Sequence, residues 1–510
     1  MMRSTMATKR WGQAIARLSY GGAIFSALCL AAPGVGTTAI AATFDGHSGL
    51  NTNWSTPTNW VGDVVPTSGS PNMEVILGSS GTTPLVTSNQ DLATPFVLQR
   101  LTLPFGSTAA PRIVNGLPLA FSNLGGAPSI NSVDFLSQEL TVNNDLVLNA
   151  DLTVSPPGFI PSISDYTLNG AISGIGGLRQ SGGGRVFLGG TTANTYAGLT
   201  TVDDGVLYLN KPASVIAIPG DVVINSGGST RSLRGSVVVG NDNQIAAGAT
   251  VTINVGLLAV EGGDQTLANI RLTGVNFGMP NLDGGSVMSS PSRTLTITGG
   301  ITRTSNSGPP IYPQNLSLIS GGTLDLAGGL RTFQVDNDNP IGLPTTLTVD
   351  SAIANGDIEK TGAGVLILGG NFSGNLHATE GLLRMYSEMT FGLNDGGVSN
   401  RILGISEAEI GGTFVIDRSS LTDVSGSWNL VDVASLNETF APSLKLQFAG
   451  GASFTNLGDG LFKSGRWSFS TATGNLSLSA VPEPTTFGLL TLPALFAGSI
   501  GRRRYAAARP

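Results

Sequence analysis

The sequence predicts an all-β chain folded as a β-solenoid, in which short strands stack coil upon coil. Three observations predict it. Glycine supplies 71 of 510 residues while only 12% are charged, against usual shares of about 7% and about 25%. Helix interiors lose roughly 1 kcal/mol per Gly and rely on charged i,i+4 faces, so this composition disfavours helices. Apolar residues recur at i and i+2 in short runs separated by Gly, Asn, Asp and Pro, which is the strand period punctuated by turns. Finally, one stretch occurs twice at an offset of 180 positions. A hydrophobic content of 40% excludes disorder, and the glycines lack the three-residue period of collagen.

At the N-terminus, Arg3, Lys9, Arg10 and Arg17 flank an apolar stretch from Tyr20 to Ala32, and Ala39-Ile40-Ala41 offers the small-x-small pattern that signal peptidase accepts. Residues 1–41 are read as a secretory signal cut after Ala41. The apolar stretch is shorter than the ~20 residues of a spanning helix, and Pro33, Gly34 and Gly36 end it. Cys29, the one cysteine of the chain, lies inside it. A mature chain then holds no thiol, which excludes disulfides, thiolate zinc sites and cysteine nucleophiles. Asn53-Trp54 and Asn59-Trp60 are expected to cover the first coil, because an open terminal coil is an unpaired sheet edge. Carbohydrate stacking by Trp54 and Trp60 is the alternative.

The body, residues 42–410, contains the duplicated unit, at 176–209 and 356–385. Leu178 pairs with Ile358, Gly182 with Gly362, Gly184 with Gly364, Val186 with Leu366 and Leu188 with Leu368. After a four-residue deletion Gly198 pairs with Gly374, Gly205 with Gly381 and Leu207 with Leu383. Val186-Phe187-Leu188 and Val206-Leu207-Tyr208-Leu209 read as strands with one face inward, and the glycines around them allow positive φ at tight corners. Strand, corner and strand within ~20–30 residues make one coil, which cannot bury its own face and must stack on neighbours. Further strands are read at 140–142, 146–148, 251–253, 295–298, 316–318 and 347–349. At roughly 22 residues per coil and ~4.8 Å per step, one continuous solenoid would be a rod on the order of 90 Å long. Residues 411–480, with Trp428 and Trp467, are expected to form a C-terminal β-cap.

These copies resemble the autotransporter-associated β-strand repeat. In the first, Asn194, Tyr196, Gly198 and Thr200 fit its N-x-Y-x-G-x-T part; the second keeps Lys360, Thr361, Gly362, Gly364 and Asn371 but has Phe372 at the tyrosine and Leu376 at the threonine. The resemblance implies a right-handed parallel β-helix in a secreted or surface-exposed region.

Past the cap, Val481-Pro482-Glu483-Pro484 is followed by an apolar run from Thr485 to Ile500 and then Arg502, Arg503 and Arg504. The prolines keep the tetrapeptide extended. The sixteen-residue run would span ~24 Å as a helix, so a short C-terminal transmembrane helix is expected, with the arginines on the cytoplasmic side. Residues 481–504 resemble the PEP-CTERM sorting domain, whose triplet and basic tail they match. The resemblance implies export, processing by an exosortase and an exopolysaccharide setting, with the membrane as a partner through the tail.

Without its two ends the chain holds 18 basic and 32 acidic residues, a net charge of about −14. Such a body repels phosphates, so nucleic acid is not an expected partner. An enzyme needs positioned groups. Asp203-Asp204 is read as a turn inside the repeat, because adjacent residues of a strand point to opposite faces. Asp336-Asn337-Asp338-Asn339 is dense in oxygen ligands but lacks the EF-hand spacing, so calcium is left open against a solvated turn. His47 and His377 are far apart in sequence and lie in no triad pattern. No phosphate-binding loop, cofactor motif or metal motif is present. The expected function is a non-catalytic, exported β-solenoid with a structural or adhesive role, sorted through its tail. The alternative is a β-helix polysaccharide lyase or hydrolase. No series of ~10-residue amphipathic strands suggests an outer-membrane barrel, so a self-transporting adhesin is not expected.

Overall fold

A computed structural model describes residues 40–46, 51–78, 87–104, 111–133, 138–159, 162–225, 235–273, 284–304, 316–337 and 344–481. Each coil contributes strands to parallel sheets that run the length of the body. The first sheet has 17 strands and the second 15. A third face is built from shorter pieces, among them a four-stranded sheet formed by Phe96–Leu98, Leu119–Phe121, Leu146–Leu148 and Ile172–Gly174. Chain order runs first sheet, second sheet, third face, then back to the first, as in Leu152–Ser155, Asp165–Leu168, Ile172–Gly174 and Leu178–Gln180. This is a parallel β-helix.

Alternation produces it. In Arg185–Leu188 only Val186 and Leu188 point inward, and the same holds for Tyr166 and Leu168 one turn earlier and Leu140 and Val142 two turns earlier. Inward residues stack in columns along the axis. One column of the first sheet reads Val154, Gln180, Val202, Ile224, Ile253, Leu272, Arg303, Val335, all of them buried. Each aliphatic member contributes about 1.5–3 kcal/mol on burial, but only because the coils above and below supply the covering surface.

Coil length varies while register holds: Val365 pairs with Leu382, 17 residues on, whereas Ser286 pairs with Leu318, 32 residues on. From Thr87 to Asn437 the second sheet averages about 25 residues per coil, so its fifteen strands span on the order of 70 Å. The rod is shorter than the 90 Å expected from 22-residue coils.

Both ends are closed. Trp54 donates its backbone N–H to Asn89 O at 2.9 Å on the first strand of the second sheet, and its ring meets Trp60 and Phe96 edge-on at 5.6 and 5.3 Å. At the other end a five-stranded antiparallel sheet, from Gly426–Asn429 to Asn475–Leu478, covers the last coils. Its Phe469 packs 5.8 Å from Phe414.

One part of the expected fold class is corrected. Among the described residues the helical pieces are two 3-10 turns, Pro57–Asn59 and Asp395–Gly397, and no helix is long and apolar enough to cross a membrane. Among the described residues the fold is all-β, without the expected transmembrane helix. Sixteen residues interrupted by Gly488 and Pro493 fall short of the ~20 that a span requires. The stretch itself, 485–500, lies outside the described residues.

Candidate functional site

The repeat motif is a set of corner contacts. Buried Asn194 accepts the N–H of Ile172 in the preceding coil at 2.9 Å and donates to Ala217 O in the following one at 2.8 Å. Tyr196 and Thr200 share a buried hydroxyl–hydroxyl bond of 2.6 Å; burial pushes the tyrosine's pKa up, partly offset by that bond. In the second copy Phe372 and Leu376, both buried, replace the two hydroxyls together, so neither is left without a partner. Gln180 and Lys360 also correspond. Gln180 Nε2 donates to Gly184 O at 3.0 Å, and Lys360 Nζ donates to the carbonyls of Thr361, Gly362 and Glu380. Burial lowers the Lys360 pKa from 10.5 to about 8, against the pull of Glu380 and Asp336.

The corner glycines divide in two. Gly205, Gly362 and Gly381 take positive φ, between 70° and 75°. Gly182, Gly184, Gly198, Gly364 and Gly374 do not; a Cβ there would strike backbone of the neighbouring coil, such as Pro156 O at 2.2 Å from Gly182. The expectation of positive φ around the strands is corrected for these five: axial crowding, not backbone hand, requires glycine.

The described acids among those singled out from sequence make contacts within the scaffold. Asp203 bonds Arg179 of the preceding coil and Asn225 of the next, and Asp204 accepts the N–H of Gly205 at 2.9 Å. Asp336 accepts from Gln334 at 2.9 Å; Asp338 and His47 lie outside the described residues. His377 sits in the strand Leu376–Ala378, between Glu359 and Leu403. Other carboxylates staple coil to coil: Asp151 accepts Gly177 N, Asp221 accepts Thr250 N and Asp264 accepts Thr294 N. Among the described residues no three His, Cys, Asp or Glu side chains gather as metal ligands. Trp54 and Trp60 are buried, which removes them as carbohydrate platforms.

Two clusters stand on the outer face of the second sheet. Arg185 forms a two-point ion pair with Asp165 at 2.6 and 2.7 Å, beside Phe187, whose ring stacks on Tyr208 at 4.8 Å and 11°. Toward the C-terminus Arg384 pairs with Glu409 at 2.8 and 3.2 Å, and the Tyr386 hydroxyl donates to the same carboxylate at 3.1 Å. The guanidinium, then the phenol, hold the Glu409 carboxyl below its usual pKa. Arg384, Tyr386 and Glu409 were not anticipated from sequence, since ordinary outward strand positions carry no local signal.

Of the expected processing residues, Ala39 and Pro482, Glu483, Pro484, Arg502, Arg503 and Arg504 lie outside the described residues. Ala41 opens the strand Ala41–Phe44, which pairs with Glu74–Leu77, and Val481 is exposed.

Comparison with known proteins found one informative similarity. A stretch of 140 residues is 32% identical to the adhesin BmaC autotransporter of Brucella suis biovar 1 (strain 1330). It covers 26% of this chain and 4% of that adhesin. No family description matches the chain, and no solved structure matches it.

Proposed function

We propose that this chain is an exported, non-catalytic β-solenoid that works at the cell surface or in the extracellular matrix as a structural or adhesive element. The observation that carries the reading is the long parallel β-helix, together with its partial similarity to an autotransporter adhesin. The acidic side chains support it, because Asp203 links the coils on either side through Arg179 and Asn225, and Asp204 holds the N–H of Gly205. Export would use signal peptidase at Ala39–Ala41. Sorting would use an exosortase-type enzyme acting at Pro482-Glu483-Pro484, and exopolysaccharide is the proposed surrounding. Nucleic acid is not proposed as a partner.

Cell fractionation tests the reading: the protein should be recovered from surface or matrix fractions, with a C-terminal peptide lacking Arg502 by mass spectrometry. Recovery from the cytoplasm alone overturns it. Incubation with neutral and acidic polysaccharides, with and without Ca²⁺, should release no reducing ends or unsaturated uronates.

A further inference from the structure

The outward positions of the second sheet change character along the rod. From Val206 to Ile367 no charged side chain occupies an outward strand position among the described residues. The first sheet over the same coils differs. One outward row there reads Thr201, Val223, Thr252, Arg271, Thr302, beside the Asp203–Asn225–Asn254 ladder. On the second sheet Val206, Val238 and Ala259 instead gather with Tyr208 and Leu257 into an apolar cluster separate from the core. Beyond that cluster Met288 and Leu316 are 51% and 40% exposed. A solvated sheet face carries polar residues at such positions, so an apolar stripe marks a contact surface.

The row through Ser286 is a palindrome in its chemistry. Register places Leu257 and Leu318 one strand to either side, Ser236 and Thr348 two strands away, and Val206 and Ile367 three. Four strands out come Arg185 and Arg384, and five out their carboxylates, Asp165 and Glu409. A two-fold axis along the strand Ser286–Ser289 lays leucine on leucine, hydroxyl on hydroxyl and β-branched chain on β-branched chain, with Met288 against its own mate. An isologous contact needs such a self-complementary surface. The arginines at both ends already hold their acids at 2.6 and 2.8 Å, so the contact ends on neutral pairs. Glu261 and Asp350, each just past its strand, are exposed at the margin. Seven strands at ~4.8 Å, by ~14 Å across three outward positions, bring two copies to on the order of 1,000 Å² buried, enough for a specific interface. A charged polymer finds nothing to pair with along the stripe, whereas a second copy matches it position by position.

We propose that two copies of this chain pair face to face and antiparallel through this stripe, with Met288 on the two-fold axis. The pairing goes beyond the surface reading and does not depend on it. The test is analytical ultracentrifugation of the full chain across the micromolar range. Wild type should sediment as a dimer. Met288→Lys and Met288→Glu, each with wild-type circular dichroism, should raise the dimer dissociation constant about a hundredfold, because two like charges then meet on the axis. An equimolar mixture of the two variants should return to dimer, since the axis now brings an ammonium onto a carboxylate. Thr201→Lys, on the outer face of the first sheet, should leave the dimer intact. A wild-type monomer overturns the pairing, whether the stripe then retains neutral lipid vesicles or another protein. Single variants that dimerise as wild type does also overturn it, and so do variants that stay monomeric when mixed.

Discussion

At the scale of single residues, the departure of the second repeat copy from its motif has a physical account. Tyr196 and Thr200 satisfy each other, so removing one hydroxyl strands the other in the core. Tyr196→Phe or Thr200→Val alone should cost about 1–2 kcal/mol, and the double mutant should cost less than the sum, read as a coupling of about 1 kcal/mol in a denaturant double-mutant cycle. Lys360 gives a pH signature. Its pKa of about 8 in the fold lies below 10.5, so the unfolded chain binds more protons between these values and stability rises with pH across that window. Buried Tyr166 and Tyr196 act oppositely above about pH 10, because the fold keeps phenol protons that the unfolded chain loses. Thermal melts should therefore peak between about pH 8 and 10 in this contribution, and Lys360→Gln should flatten the lower limb. Gln180 already does the same work in the first copy, so Lys360→Gln should melt above Lys360→Leu, which leaves three carbonyls without their donor and costs about 1–3 kcal/mol.

At the scale of the element, a strand here has no stability apart from the coils on either side. Side-chain ladders strengthen that dependence: Asn169 donates to Asn143 at 2.8 Å, and Asn143 to Asn115 at 2.7 Å. Asn143→Ala breaks both links and should lower stability by about 1–2 kcal/mol, with faster amide exchange confined to the neighbouring coils. The corner is the other weak point. Gly205→Ala meets positive φ and the carbonyl of Gly184 at 2.2 Å, so it should cost well over the ~1 kcal/mol of a simple Gly-to-Ala change in the wrong region.

For the whole molecule, stability is nearly a sum of coils and their interfaces, and the ends are where it fails first. Phe469→Ala should cost about 3–5 kcal/mol and uncover the final coil beside Phe414, appearing as larger species in light scattering; Tyr386→Ala should leave the size unchanged. Most of this architecture was legible in advance. The duplicated glycines and alternating apolar runs specify coils, because register and inward faces depend on local period and on corners too tight for a side chain. The expected C-terminal helix has no counterpart among the described residues, and the apolar run that would form it, 485–500, lies outside them. The sequence by itself determined stacked β coils, a repeated corner and an acidic body. Only the tertiary structure decided that five of those glycines serve close packing, that Asp203, Asp151, Asp221 and Asp264 bind neighbouring coils, and that Asp350, Tyr386 and Glu409 share one face. These residues lie 36 and 23 positions apart in the chain, and coil length varies, so only the stacking of particular coils brings them together.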